Sequence, residues 1–345
     1  MNPYAMSMLM SSLSTGTVIT LTSNHWFLAW VGLELNTLAI IPLMSKMHHP
    51  RATEAATKYF LIQSAGSALL LFSTSMNAWY TGEWTIINMQ TTTPTLMLTT
   101  ALMIKLAVAP FHLWLPDVIQ GLDLLTSMML MTWQKLAPMS LLIQMNQEMN
   151  STLLIFLGIM SILMGGWGGL NQPQLRKMMA YSSIAHLGWM MIVLPYSSKL
   201  TLLNLMIYLF ITTSMFLMMM ITSSTTINKM ASSWMKNMTL TTMMMITLMS
   251  LGGLPPMSGF LPKWLILEEM IKQNMIFIAT TTAMLTLMSL FFYLRLSYTV
   301  SLTTPPTPLN FKIMWRLKTK MNQVSPMIII SIMLLPMSPS IMIMT

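Results

Sequence analysis

The chain has 345 residues, 54% of them hydrophobic and only 7% charged, with a net charge of +9 and no cysteine. Soluble domains carry about 25% charged residues, so this composition excludes one. The missing cysteine excludes disulfides, iron–sulfur clusters and thiolate metal sites held by this chain. The cations are scattered through short loops without an aromatic-interleaved patch, which excludes a nucleic-acid interface. The 46 methionines are spread along the chain instead of forming Met-x-Met arrays. They read as flexible apolar filler rather than copper ligands.

Apolar runs follow one another from end to end. They cover 4–21, 24–45, 58–78, 93–121, 124–146, 152–170, 177–194, 201–223, 239–271, 276–298 and 324–343. Runs of about 20 charge-poor residues are transmembrane helices. The expected fold is therefore all-α, a polytopic membrane protein of about 11 transmembrane helices joined by short loops. The start, MNPYAMSMLM, has neither a basic n-region nor an Arg-rich amphipathic pattern, so neither a signal nor a transit peptide is expected. With the N-terminus inside, the inside loops hold Lys46, Arg51, Lys58, Arg176, Lys177, Lys229, Lys236, Lys312, Arg316, Lys318 and Lys320. The outside loops hold only Lys199 and Lys272, a strong positive-inside bias.

Two runs are interrupted. Ala101–Asp117 reads ALMIKLAVAPFHLWLPD, and Leu251–Trp264 reads LGGLPPMSGFLPKW. Pro110–Pro116 and Pro256–Pro262 carry prolines at the same spacing, offset by 146 residues, and that offset pairs the other early spans with later ones. Because each set holds five spans, the second would enter the membrane upside down, as in transporters built from inverted repeats with discontinuous helices. The expected division is 1–146 for the first five-helix repeat, 150–300 for the second, and 301–345 for a basic loop and a last helix.

The ionisable groups well inside spans are Glu34, Lys105, His112, Lys135, His186 and Lys263. One charge at the bilayer centre costs at least about 2.5–3.5 kcal/mol, so six such groups spread over both halves need a purpose. Any one of them could merely tie helices together. As a set they suit proton transfer. Burial disfavours a lysine's charge and a nearby carboxylate restores it, so a lysine whose acidic partner moves can take up or release a proton. Glu34 is the one acid centred in a span and the natural partner of Lys105. His112 lies in the first break and His186 in mid-span, where an imidazole can relay protons. Freed backbone groups at the breaks favour a hydrated pocket beside each lysine. His48 and His49 read as solvated loop residues, and Arg295 as a snorkelling span-end cation. No metal constellation, nucleotide fingerprint or nucleophile–base motif is present. Two other classes fit these residues less well: a stand-alone cation/proton antiporter, and a structural membrane subunit with a vestigial path.

The segments WVGLELNTLAIIPL, EAATKYFLIQSAGSAL, APFHLWLPDVIQG, TWQKLAP, GGLNQPQLRKMMAYSSIAHLGWM and LGGLPPMSGFLPKW resemble the subunit 2 family of mitochondrial NADH dehydrogenase, respiratory complex I. The resemblance spans essentially the whole chain and is weakest in 1–22 and after about 300. It implies an antiporter-like core subunit of the proton-pumping membrane arm, coupled to ubiquinone reduction elsewhere in the complex. It also implies a multi-pass protein of the mitochondrial inner membrane, with the N-terminus on the matrix side and the C-terminus on the intermembrane-space side. The family's half-channel carboxylate falls on Glu34, its broken-helix lysines on Lys105 and Lys263, and its connecting lysine on Lys135, while His112 and His186 match family positions. The implied cofactor set in this chain is empty: NADH, FMN, iron–sulfur clusters and ubiquinone are bound by other subunits. The implied partners are neighbouring antiporter-like subunits, accessory subunits and membrane lipids, with no nucleic acid.

Overall fold

The computed structural model describes residues 2–46, 49–89, 91–235, 237–302 and 325–333. His48, Lys236, Lys312, Arg316, Lys318, Lys320 and most of the expected last span lie outside them. The regular elements among the described residues are all helices, apart from two isolated β-bridges. In chain order the first helices are α1 (Pro3–Thr22), α2 (Trp26–Met44), α3 (Pro50–Thr81), α4 (Thr92–Leu106), α5 (Trp114–Gly121) and α6 (Leu124–Gln144). They are followed by α7 (Ser151–Gly169), α8 (Leu175–Val193), α9 (Ser198–Thr222), α10 (Ile227–Ala231), α11 (Met238–Gly252), α12 (Phe260–Lys272), α13 (Ile276–Leu302) and α14 (Ser325–Met333). The chain divides into two compact units, Met1–Ser161 and Ile162–Thr345, with the division falling within α7.

Hydroxyl-bearing residues do not prevent these helices from being buried, because each hydroxyl can donate back to a carbonyl of the preceding turn. Thr17 donates to Ser14 O, Ser73 to Leu70 O and Thr212 to Tyr208 O, each at 2.8 Å. Among the described residues, five helices are long and apolar enough to cross a membrane: α2, α3, α7, α9 and α13. The two interrupted runs are each split into short pieces, of 15 and 8 residues (α4, α5) and of 15 and 13 residues (α11, α12). None of the four pieces reaches the ~20 residues of a bilayer-spanning helix.

In the first unit α1 lies against α2, and α3 lies against α4 and α5. The α1–α2 crossing is glycine on glycine: a Cβ on Gly16 would come within 2.9 Å of Gly32 O, and one on Gly32 within 2.8 Å of Gly16 O. Helices approach this closely only where no side chain intervenes. His49 belongs to the structure rather than to solvent alone, since its Nδ1 caps α3 by accepting from the Arg51 N–H. His25 caps α2 in the same way, accepting from the Phe27 N–H, and stacks on Trp84.

Two local motifs occur in both units. The residue before the second helix of each unit forms an antiparallel bridge to the segment after the third: His25 with Thr85, and Gln174 with Thr226. The flanking bonds match as well. Trp26 N–H donates to Trp84 O and Ile86 N–H to Asn24 O, as Leu175 N–H does to Thr225 O and Ile227 N–H to Pro173 O. The second shared motif closes the helix before each break, and it positions the site.

Candidate functional site

α4 ends at Leu106, before Pro110, because Ala107 takes a left-handed conformation with φ 62°. Its N–H donates to Ile104 O, and the Val108 N–H donates to Met103 O. α11 ends the same way: Gly253 has φ 77°, its N–H donates to Ser250 O, and the Leu254 N–H donates to Met249 O. This pair of bonds is the Schellman motif, which satisfies carbonyls left over at a helix C-terminus. The two motifs sit 146 residues apart, the offset expected from the prolines.

The lysines sit differently in the two breaks. Lys105 precedes its break, in the last turn of α4, where it is 6% exposed. Its stem runs along Gly66 of α3, and its Nζ is buried without a hydrogen-bond partner among the described residues. Lys263 follows its break, on α12, and its Nζ reaches back to donate to Gly252 O at 2.8 Å. A cation there also meets the negative end of the α11 dipole.

Lys105 and Lys135 line one cavity of about 20 Å³, together with Asn36, Thr37, Gln63 and Gln134. Tyr59 and Trp114, an edge-on pair with ring centroids 5.7 Å apart, form part of its wall. Lys135 is as buried as Lys105, on α6, three residues before Pro138. That proline lacks an N–H and leaves the Gln134 carbonyl without its helical donor. Glu34 does not line this cavity and makes no ion pair with Lys105 among the described residues. The half-buried Glu34 carboxylate lies within electrostatic reach of Lys105. It also accepts a hydrogen bond from Thr37 Oγ1 at 3.1 Å, and Thr37 does line the cavity. The Thr37 hydroxyl also lies 2.9 Å from the Glu34 carbonyl oxygen, and no ion pair or hydrogen bond links Glu34 to Lys105 among the described residues.

Lys263 and His186 line a second, smaller cavity with Ser182, Ser289, Tyr293 and Leu251. The His186 ring lies 5.4 Å from that of Tyr208. His112 is buried within the first break but lines neither cavity. Arg295 donates to Leu170 O at 2.7 Å. Lys58 of α3 pairs with Glu54 at 2.7 Å and with Asp117 of α5 at 3.9 Å, which ties the two helices together at the first break. No cluster of three or more acidic or imidazole groups able to hold a metal occurs among the described residues.

Charge alone, as a guide to the sequence, misses Asn36, Thr37, Gln63 and Gln134. Their signal was a neutral hydrogen-bonding side chain inside an apolar run, as in FLIQSAG around Gln63.

Two helices broken by matching caps, each with a lysine lining a small cavity beside the break, are the arrangement of an antiporter-type membrane subunit. The family model described as NADH:quinone oxidoreductase/Mrp antiporter, transmembrane, matches residues 23–289, and that of the NADH dehydrogenase subunit 2 C-terminus matches 290–342. The chain belongs to the NADH-ubiquinone oxidoreductase chain 2 family. It is 52% identical over 346 residues to NADH-ubiquinone oxidoreductase chain 2 of Scyliorhinus canicula, covering 99% of each chain. Its fold is similar to that of a chain in respiratory complex I from Thermus thermophilus, with TM-score 0.83 and 24% identity over 97% of this chain and 79% of that one. It is also similar to a chain in the Mrp complex from Dietzia, with TM-score 0.77 and 17% identity over 87% of this chain and 61% of that one.

Proposed function

We propose that the chain translocates protons as a core membrane-arm subunit of NADH:ubiquinone oxidoreductase, driven by quinone reduction elsewhere in the complex. The observation that carries this reading is the small cavity that Lys105 and Lys135 share with Asn36, Thr37, Gln63 and Gln134 beside the first helix break. Protons pass from Glu34 through the Thr37 hydroxyl to Lys105 and on to Lys135, while Lys263 and His186 serve the second unit. His112, in the first break, is assigned to the same path. The family assignment supports a place in the mitochondrial inner membrane among other membrane-arm subunits, with the N-terminus facing the matrix and the C-terminus the intermembrane space. NADH, FMN, iron–sulfur clusters and ubiquinone are assigned to those other subunits.

The shared Schellman motifs and paired bridges support reading 1–146 and 150–300 as two repeats of five spans each. An odd number of spans inverts the second repeat, and the final helix completes about 11.

The test is Lys105→Met in the assembled complex, reconstituted into vesicles. Loss of proton pumping linked to NADH oxidation is expected, and normal pumping in a fully assembled variant would sink the proposal. A second reading, in which the breaks serve assembly alone, is favoured by one observation, the capping bond from Lys263 to Gly252 O. It predicts that Lys105→Met and Lys263→Met lose the complex on native gels instead of losing pumping.

A further inference from the structure

The first turn of α2 is closed by a group that titrates. His25 is exposed, and its Nδ1 accepts a hydrogen bond from the Phe27 N–H at 3.1 Å. A ring nitrogen accepts only while it carries no proton, so this cap requires a bare Nδ1. The imidazole lies flat against Trp84, with ring centroids 5.7 Å apart and planes 6° apart. The backbone around it is fixed by the bridge to Thr85 and by the Trp26 N–H bond to Trp84 O. Gln174 takes the same place in the second unit, with the same kind of bridge but no side-chain cap. The bridge thus forms without an imidazole, and the cap at His25 is an addition to it.

Two effects act on a proton added to His25. At a helix N-terminus an imidazolium meets the positive end of the dipole, and the Phe27 N–H loses its acceptor. The face of Trp84 attracts the same cation. Protonation therefore draws the ring off the cap while keeping it on the indole. α1 and α6 end side by side here, with Gln144 Nε2 donating to Leu21 O. The charged groups at this end of the unit are Glu83 and, beyond α6, Glu148. The Glu83 carboxylate accepts from Asn88 Nδ2 at 2.6 Å and from Thr85 Oγ1 at 3.3 Å. Neither glutamate pairs with His25 among the described residues. We propose that His25 is a proton-sensitive latch on α2. Neutral, it closes the first turn; protonated, it releases that turn to water. In the orientation proposed above this end faces the intermembrane space, so the latch reports protons on that side to the helix that carries Glu34. That sidedness rests on the proposed function, whereas the latch itself does not.

Hydrogen–deuterium exchange of the intact detergent-solubilised complex, corrected for the intrinsic pH dependence of exchange, tests the latch. Protection of residues 26–29 should fall about fivefold between about pH 8 and about pH 5.5, the usual effect of losing one cap over the range in which an imidazole titrates. His25→Asn keeps a capping oxygen that does not titrate, and its protection should stay level across that range. The segment after Gln174 should not change. A pH-independent profile in the unsubstituted complex overturns the proposal, as does an equal fall in His25→Asn or after Gln174. If His25→Asn does not assemble, the comparison with the Gln174 segment decides. Normal pumping in Lys105→Met would sink the proton path and leave these profiles untouched, so the two failures are distinguishable.

Discussion

At the scale of single residues, the two break lysines have different duties despite their similar settings. Lys105 has no hydrogen-bond partner among the described residues, whereas Lys263 caps a helix by donating to Gly252 O. Lys263→Met should therefore lower the thermal midpoint of the detergent-solubilised complex, with a loss of about 1–3 kcal/mol for one hydrogen bond left unmade. Lys105→Met removes an unpaired buried amine and should leave that midpoint unchanged or raise it. A heat ramp followed by native gels reads both outcomes. The burial of Lys105 was legible from its apolar neighbours, and so was that of Lys135. The position of Glu34 outside the cavity was not, because no local pattern shows which groups of different spans face one another, and a threonine in an apolar run carries no charge to mark its hydrogen bond to Glu34.

At the scale of elements, the prolines announced both breaks but not where the helices end. Each helix stops at a Schellman motif before its prolines, at Leu106 and at Gly252. Gly253 is an ordinary occupant of the left-handed position, while Ala107 holds the same conformation against its own Cβ. That strain costs about 1–2 kcal/mol. Ala107→Gly should accordingly stabilise the complex by about 1 kcal/mol, and Gly253→Ala should destabilise it by about 1–2 kcal/mol, both read from thermal midpoints. The Gly16–Gly32 crossing makes a further prediction. Gly16→Val would force α1 from α2 and should cost about 1–3 kcal/mol by overpacking, seen as reduced assembled complex. The glycines were visible in the sequence, but their pairing across two helices depends on a crossing that no local pattern encodes.

At the scale of the whole molecule, composition alone settled the class: 7% charge over 345 residues leaves room only for a membrane protein. The likeness of the two units was harder to read, because they share backbone devices more than side chains. Lys105 has no lysine 146 residues on, where Leu251 stands, yet the caps at Ala107 and Gly253 match bond for bond. The central claim is that protons cross this subunit by way of Lys105. Its most direct measurement is the number of protons pumped per NADH oxidised by vesicle-reconstituted complex carrying Lys105→Met, with assembly confirmed on the same preparation. The ratio should fall below that of the unsubstituted complex while the complex stays intact; an unchanged ratio in intact complex would contradict the claim.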